Sequence, residues 1–273
     1  MTITYLKKAE KTSATDQGDV RDRVMAMLAE IEAGGDEAAL KYARELDQWT
    51  GPIVVDADAF AEARASLAEH VKDDIRFAHD NVRRFAEAQL KTVSDCEVEL
   101  HPGLLAGQKH IPVSAAGAYV PGGRYAHVAS AIMTVTTAKV AGVPHITACS
   151  PTGAGGIPPA ILFALETAGA DVVLNLGGVQ GIAAMAFGLF GTPEADILVG
   201  PGNQYVAEAK RLLFGRVGID MFAGPTDLLV LADGTADPEI VAIDLVGQAE
   251  HGYNSPAAMI TNSRKLAEDT LAE

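Results

Sequence analysis

The sequence has few cysteines and no long apolar run. Its 273 residues contain only Cys96 and Cys149, which is too few for a disulfide framework. No apolar stretch approaches the roughly 20 residues of a membrane-spanning helix. The segment Met1–Lys8 lacks the apolar core of a signal peptide. We therefore expect a cytoplasmic protein that has no membrane partner.

Basic residues are also scarce. Lysine and arginine number 21 against 36 aspartates and glutamates, so the formal net charge is −15. Such an acidic chain is a poor partner for nucleic acid or for an anionic membrane surface, because both repel it at long range. A local arginine or histidine can still hold an anionic small molecule. We expect a small-molecule substrate and no nucleic acid.

The dinucleotide-binding fingerprint G-x-G-x-x-G is missing, but glycine-rich turns are frequent. From about Ile111, short apolar runs alternate with helical patterns, which predicts an α/β fold with a doubly wound parallel sheet. Ligands of such sheets bind at the carboxyl ends of the strands. The turns expected at those ends are residues 121–124, 177–181, 200–203 and 224–226. Ordinary turn chemistry explains each one alone, whereas four at one edge favour phosphate binding.

Residues before Ile111 are mainly helical in pattern. The apolar period from Asp19 predicts a helix that stops at Gly34-Gly35, and Asp36 caps a second helix. We predict an N-terminal arm at 1–18 and a Rossmann-like nucleotide-binding domain at 111–226. Segments 19–110 and 227–273 would together form a first, discontinuous α/β domain that is incomplete at its carboxyl end.

The run from Asp244 to Gly252 predicts a helix that presents polar groups on one face. Asp244, Gln248 and His251 are spaced at i, i+4 and i+7, and Gly252 is a typical helix stop. A carboxamide and an imidazole side by side can bind a metal ion, although a catalytic zinc usually has about three protein ligands. The alternative is a surface histidine that is favoured by the dipole at a helix carboxyl end.

Five ordered motifs together resemble histidinol dehydrogenases. They are Tyr119-Val120-Pro121-Gly122-Gly123, Gly177-Gly178-Val179-Gln180, Gly200-Pro201-Gly202-Asn203, Ala223-Gly224-Pro225-Thr226 and Gln248-Ala249-Glu250-His251-Gly252. The resemblance covers essentially the whole chain. It implies a homodimeric dehydrogenase that uses Zn²⁺ and NAD and oxidises a primary alcohol to a carboxylate in two steps.

The resemblance also implies roles for individual residues. It makes Gln248 and His251 zinc ligands that also meet the substrate, and it makes Thr226 a substrate contact. The residues expected to contact NAD are Tyr119, Gln180 and Asn203. The family's catalytic Glu-His pair and its two further zinc ligands correspond to positions beyond Glu273. We therefore predict no catalytic residue within this chain and expect it to be part of a longer protein.

Two branches of the family differ in substrate. One oxidises L-histidinol to L-histidine, and the other oxidises 2,3-dihydroxypropane-1-sulfonate to 3-sulfolactate. Residues 5–9, 77–85 and 123–127 resemble the sulfonate branch. Arg124 and His127 add donors that suit a sulfonate, or Arg124 meets the cofactor's phosphates or solvent instead. A catalytically inactive nucleotide-binding module is a further alternative.

Overall fold

The computed structural model describes residues 4–8, 17–122, 126–153, 155–221, 226–249 and 255–273. The chain divides into two compact units. The larger unit is Gly18–Phe222, and the smaller unit combines Met1–Gln17 with Ala223–Glu273. Among the residues described, no helix is both long enough and apolar enough to span a membrane.

The larger unit begins with helices and continues as alternating strands and helices. Its helices are α1 (Gln17–Leu46), α2 (Ala57–Ser66), α3 (Glu69–Leu90), α4 (Val128–Val140), α5 (Pro159–Ala168), α6 (Gly178–Phe187) and α7 (Gln204–Leu213). Its strands are β1 (Cys96–His101), β2 (Leu104–Gln108), β3 (Ala115–Tyr119), β4 (His145–Cys149), β5 (Val172–Leu174), β6 (Ile197–Val199) and β7 (Gly218–Ile219). The predicted break in α1 is present as a kink at Gly35, where φ is 58° and ψ is −140°.

The central sheet of the larger unit has five strands in the order β5-β4-β3-β6-β7, and all its pairs are parallel. Helices α1, α6 and α7 supply the apolar core on one face, and α2 to α5 supply the core on the other. This arrangement confirms the predicted α/β fold with a doubly wound parallel sheet. Successive strands are added on one side of β3 up to β5 and on its other side from β6 onwards, so the strand order reverses between β3 and β6, which is where ligands of such sheets bind.

Strands β1 and β2 form an antiparallel hairpin apart from the central sheet. Residues of both strands are almost all exposed, including the apolar side chains of Val98 and Leu104. The sequence interpretation of residues 19–110 as mainly helical missed this hairpin.

The smaller unit is a single βαβ motif followed by a helix. Its elements are β8 (Leu228–Ala232), α8 (Pro238–Ala249), β9 (Ala257–Thr261) and α9 (Arg264–Ala272). Strands β8 and β9 pair in parallel from Leu228 opposite Ala257 to Ala232 opposite Thr261. Ser263 caps α9 because its Oγ accepts a hydrogen bond from Leu266 N at 3.2 Å.

Segment 19–110 lies within the larger unit. Helices α2 and α3 pack against α5, and α3 also packs against α4, so this segment shares its apolar core with the central sheet. The smaller unit takes up residues 223–273 without that segment. The sequence interpretation paired 19–110 with 227–273 in one discontinuous domain, and that pairing stays a prediction.

Candidate functional site

Tyr119 is the last residue of β3 and lies where the strand order of the sheet reverses. Its side chain is 2% exposed. The hydroxyl oxygen accepts a hydrogen bond at 3.1 Å from Gly178 N, at the start of α6. Burial raises the pKa of the Tyr119 hydroxyl above its usual range, and the neighbouring Cys149 thiol adds to this. Tyr119 is therefore a neutral hydroxyl that ties β3 to the turn after β5.

Gln180 lies in the first turn of α6 and is 1% exposed. Its Nε2 donates a hydrogen bond at 2.8 Å to Asp47 Oδ2, and the same oxygen accepts a second bond at 3.0 Å from Gly177 N. Gln180 Oε1 is buried and has no hydrogen-bond partner among the described residues. Burial raises the pKa of the Asp47 carboxyl, and the bonds from Gly177 and Gln180 oppose this shift.

The turn after β6 requires glycine at its first position. Gly200 has a φ of +113°, and a Cβ built there would lie 2.1 Å from the carbonyl oxygen of Tyr119. The backbone of this turn therefore passes directly over the end of β3. No other residue type allows so close an approach.

An ion pair between a buried lysine and a partly exposed aspartate holds the same turn in place. Lys210, on α7, is 4% exposed and forms an ion pair with Asp220. Its Nζ also donates to Gly200 O at 2.9 Å, and Asp220 Oδ2 accepts from Gly200 N at 2.8 Å. Both polar groups of the Gly200 backbone are thus satisfied by side chains. The turn is rigid before any ligand arrives.

Asn203 is exposed and caps α7. Its Oδ1 accepts hydrogen bonds from Tyr205 N at 3.0 Å and from Val206 N at 3.2 Å. Because these bonds fix the amide orientation, Nδ2 is the group that Asn203 can direct towards a ligand. Asn203 therefore offers a donor at the carboxyl end of β6, and Gln180 offers an acceptor beyond β5.

Two polar residues that follow β4 were not predicted as site residues from the sequence. Ser150 follows β4 directly and Thr152 comes two residues later. Both hydroxyls are buried and have no partner among the described residues. A Cβ at Gly122 would lie 3.4 Å from Ser150 Oγ, so this hydroxyl adjoins the turn after β3. Polar residues immediately after an apolar strand were the available signal for both.

Gln248 lies near the end of α8, in the smaller unit. Its Nε2 donates hydrogen bonds to Thr226 O at 2.5 Å and to Thr226 Oγ1 at 3.1 Å. The amide nitrogen is thus engaged, which leaves Oε1 to act as an acceptor or as a metal ligand. The described residues therefore bring together two of the predicted substrate contacts.

The remaining predicted site residues are described only in part. Arg124 and His251 lie outside the described residues. His127 is half-buried and occupies the N-cap position of α4. Within the described ranges, no group of three or more His, Cys, Asp or Glu side chains is placed to hold a metal ion. Gln248 Oε1 is an oxygen donor that a metal ion can use, but a complete zinc shell needs ligands outside those ranges.

Comparison with known proteins decides the family. The histidinol dehydrogenase family model matches residues 10–273. The chain belongs to the histidinol dehydrogenase family. Members of this family are oxidoreductases.

Relatives and a solved structure agree with the histidinol dehydrogenase family. The sulfopropanediol 3-dehydrogenase of Ruegeria pomeroyi is 63% identical over 272 residues, which are 99% of this chain and 62% of that protein. The histidinol dehydrogenase of Parasynechococcus marenigrum is 39% identical and matches 94% of this chain and 59% of its own length. The crystal structure of histidinol dehydrogenase from Elizabethkingia anophelis superposes with a TM-score of 0.83 at 33% identity, over 96% of this chain and 60% of that one. The chain thus spans about three-fifths of the length of these relatives.

Proposed function

We propose that the intact protein is a zinc- and NAD-dependent dehydrogenase, which oxidises 2,3-dihydroxypropane-1-sulfonate to 3-sulfolactate in two hydride transfers. The observation that carries the substrate is the 63% identity to a relative named sulfopropanediol 3-dehydrogenase. Three relatives named histidinol dehydrogenase are 38% to 41% identical, whereas a relative named histidinol dehydrogenase homolog is also 63% identical. The resemblance further supports a homodimer.

The cleft at the carboxyl ends of β3, β5 and β6 supports binding of NAD. Tyr119 accepts a hydrogen bond from Gly178 N, Gln180 offers the buried acceptor Oε1 and Asn203 offers the donor Nδ2. A dinucleotide carries both hydroxyl or amide donors and carbonyl or phosphate acceptors. The two amides therefore suit different parts of the same ligand.

Gln248 and His251 are proposed to hold Zn²⁺. When bound, zinc would act as a Lewis acid towards the substrate oxygen. Thr226 orients Gln248 by accepting from its amide nitrogen, which keeps Oε1 available. Thr226 is also proposed to contact the substrate. No catalytic base is assigned to this chain, because the family's Glu-His pair corresponds to positions beyond Glu273.

Arg124 and His127 are the proposed sulfonate donors. An arginine fork matches an oxyanion with two parallel hydrogen bonds, so Arg124→Ala should weaken the sulfonate substrate more than NAD. The KM for the sulfonate substrate and the KM for NAD are the two quantities to compare. Equal losses for both would show that Arg124 serves the cofactor instead.

Oxidation of L-histidinol is the second candidate, and it is favoured by the structural match to a histidinol dehydrogenase with a TM-score of 0.83. The deciding experiment supplies the intact protein with Zn²⁺, NAD and either alcohol. We expect about two NADH per sulfonate, because two hydrides leave each alcohol, and a kcat/KM at least about 100-fold above that for histidinol. A higher kcat/KM for histidinol would reassign the substrate. NADH binding without turnover of either alcohol would favour an inactive nucleotide-binding module.

The zinc ligands have a separate test. His251→Ala in the intact protein should abolish retention of zinc through dialysis, as measured by elemental analysis. A fully metallated variant would refute the ligand role of His251.

A further inference from the structure

We propose that Asp47 is a positioning residue of the dinucleotide cleft, which holds the Gln180 amide in the orientation that presents Oε1 to the cofactor as an acceptor. This inference rests on the proposed function. It goes beyond that function by assigning a role to a residue of α1's trailing loop. It also states which chemical group of the cofactor must meet Gln180.

One carboxylate oxygen fixes the amide. Asp47 Oδ2 lies 2.8 Å from Gln180 Nε2 and 3.0 Å from Gly177 N. If the Gln180 amide turned over, its Oε1 would face Oδ2, and two acceptors would replace a donor and an acceptor. That exchange loses a charge-assisted hydrogen bond and adds repulsion. The carboxylate therefore excludes the flipped amide.

The loop that carries Asp47 is itself fixed. Asp47 N and Trp49 N both donate to Ala43 O, at 3.1 and 3.0 Å, which ties the loop to the end of α1. Further along, Pro52 O accepts from Trp49 Nε1 and from Asn175 Nδ2, both at 3.0 Å. The loop is thus joined to the segment that follows β5, and Asp47 is held close to Gln180 before any ligand binds.

The consequence for the ligand follows from Gln180 Oε1. This atom is buried without a partner among the described residues, and a buried acceptor that has no partner costs free energy. A bound group that donates a hydrogen bond removes this penalty. We therefore expect a hydroxyl, amino or carboxamide N–H of the dinucleotide to meet Gln180, and not a phosphate oxygen.

The first test measures NADH affinity and steady-state kinetics on the intact protein. Asp47→Ala should weaken NADH binding about tenfold and raise the KM for NAD with a smaller change in kcat, because a charge-assisted bond that orients the ligand contact is lost. Asp47→Asn should stay within about threefold of the wild type, since its Oδ1 can accept both bonds.

Asp36→Ala is the matched control. Asp36 lies within α1, and its Oδ1 accepts a hydrogen bond at 2.9 Å from Phe190 N of the larger unit, whereas the carboxylate that accepts from Gln180 is that of Asp47. This variant should bind NADH as the wild type does. An equal loss in Asp36→Ala and Asp47→Ala would show a general structural effect and overturn the positioning role.

A second test inverts donor and acceptor, and it stands even if Asp47→Ala fails to fold. Gln180→Glu alone places two carboxylates together and should lose NADH affinity. Adding Asp47→Asn supplies an N–H to the new carboxylate, so the double variant should recover about fivefold relative to Gln180→Glu. Purely additive effects would overturn the proposal.

The outcomes separate this inference from the proposed function. A wild-type protein that binds no NADH overturns the proposed function, and the role of Asp47 with it. A wild-type protein that binds NADH no better than Asp47→Ala overturns only the role of Asp47. Tight NADH binding that depends on Asp47 supports both.

Discussion

Two βαβ motifs in this chain share one local pattern and differ in burial. In β3-α4-β4 of the larger unit, every residue of β3 and four of five in β4 are buried. In β8-α8-β9 of the smaller unit, burial alternates along both strands, and Leu231 is 78% exposed. The motif is the same, so the difference lies in the second helical layer that covers the far face of β3 and β4. Strand burial is thus a property of the layers and not of the motif.

The two candidate sites follow the same division. Gln180 is buried in the larger unit and held by a partly buried carboxylate, whereas Gln248 in the smaller unit is held by Thr226 at the surface. Buried hydrogen-bonded groups resist rearrangement more than exposed ones do. We therefore expect the dinucleotide cleft to be formed before binding, and the Gln248 amide to be more easily reoriented.

The largest contrast is expected between two glycines. Gly200→Ala should destabilise the larger unit by about 4 kcal/mol, because the added Cβ meets the Tyr119 carbonyl at 2.1 Å and the φ of +113° is unfavourable for alanine. Gly247→Ala in α8 should stabilise the smaller unit by about 0.5 to 1 kcal/mol, since nothing lies within 4 Å of its Cβ position. Denaturant unfolding measures both. Similar changes in the free energy of unfolding for Gly200→Ala and Gly247→Ala would contradict this contrast between the two units.

The next contrast is between two lysines in ion pairs. Lys210→Met should cost about 2 kcal/mol, because the Lys210 side chain is 5% exposed and its loss removes the hydrogen bond to Gly200 O and the ion pair with Asp220, which is itself 32% exposed. Lys265→Met should change stability by less than about 0.5 kcal/mol, because Lys265 is 84% exposed in its pair with Asp269. A small effect at Lys210 in denaturant unfolding would contradict the rigid turn.

Two leucines test the covering layers directly. Leu174 in β5 is 0% exposed, so Leu174→Ala should cost about 3 kcal/mol. Leu231 in β8 is 78% exposed, and Leu231→Ala in the 273-residue chain should cost less than about 0.5 kcal/mol. Thermal unfolding of the two variants gives the comparison. Equal losses would mean that the open face of β8 is covered in solution.

The smallest effect concerns pH. Burial raises the folded-state pKa of Asp47, so the folded state binds this proton more tightly than the unfolded state does. The contribution of Asp47 to the free energy of unfolding therefore falls as pH rises from below the usual aspartate pKa, about 3.9, to above the pKa of Asp47 in the folded state. Asp47→Asn should gain stability relative to the wild type over that rise. Unfolding at both ends of the window checks this, and a difference that is constant with pH would contradict the raised pKa.

Most of the fold could be predicted because its signals are local. Alternating apolar runs and glycine turns give the parallel sheet, and Gly34-Gly35 gives the break in α1. The hairpin β1-β2 was missed although residues 96–100 alternate in polarity, because its apolar side chains meet no core and its turn at Gly103 is short. Local pattern indicates a strand but not what the strand packs against.

The site could be predicted less completely, because its supports come from distant parts of the chain. The glycine turns and their neighbours, Tyr119, Gln180 and Asn203, are visible as motifs. Asp47 lies 133 residues before Gln180, and only the folded sheet brings the two together. The pairing of Lys210 with Asp220 likewise depends on the path of the chain from α7 to the end of β7, which no spacing rule gives.

The most direct measurement is a crystal structure of the intact protein with NADH. We expect the dinucleotide to lie across the carboxyl ends of β3 and β6, with one of its hydroxyl or N–H groups about 3 Å from Gln180 Oε1. Gln180 Nε2 should remain on Asp47. A dinucleotide bound away from these strand ends, or a Gln180 amide turned so that Oε1 faces Asp47, would contradict this expectation.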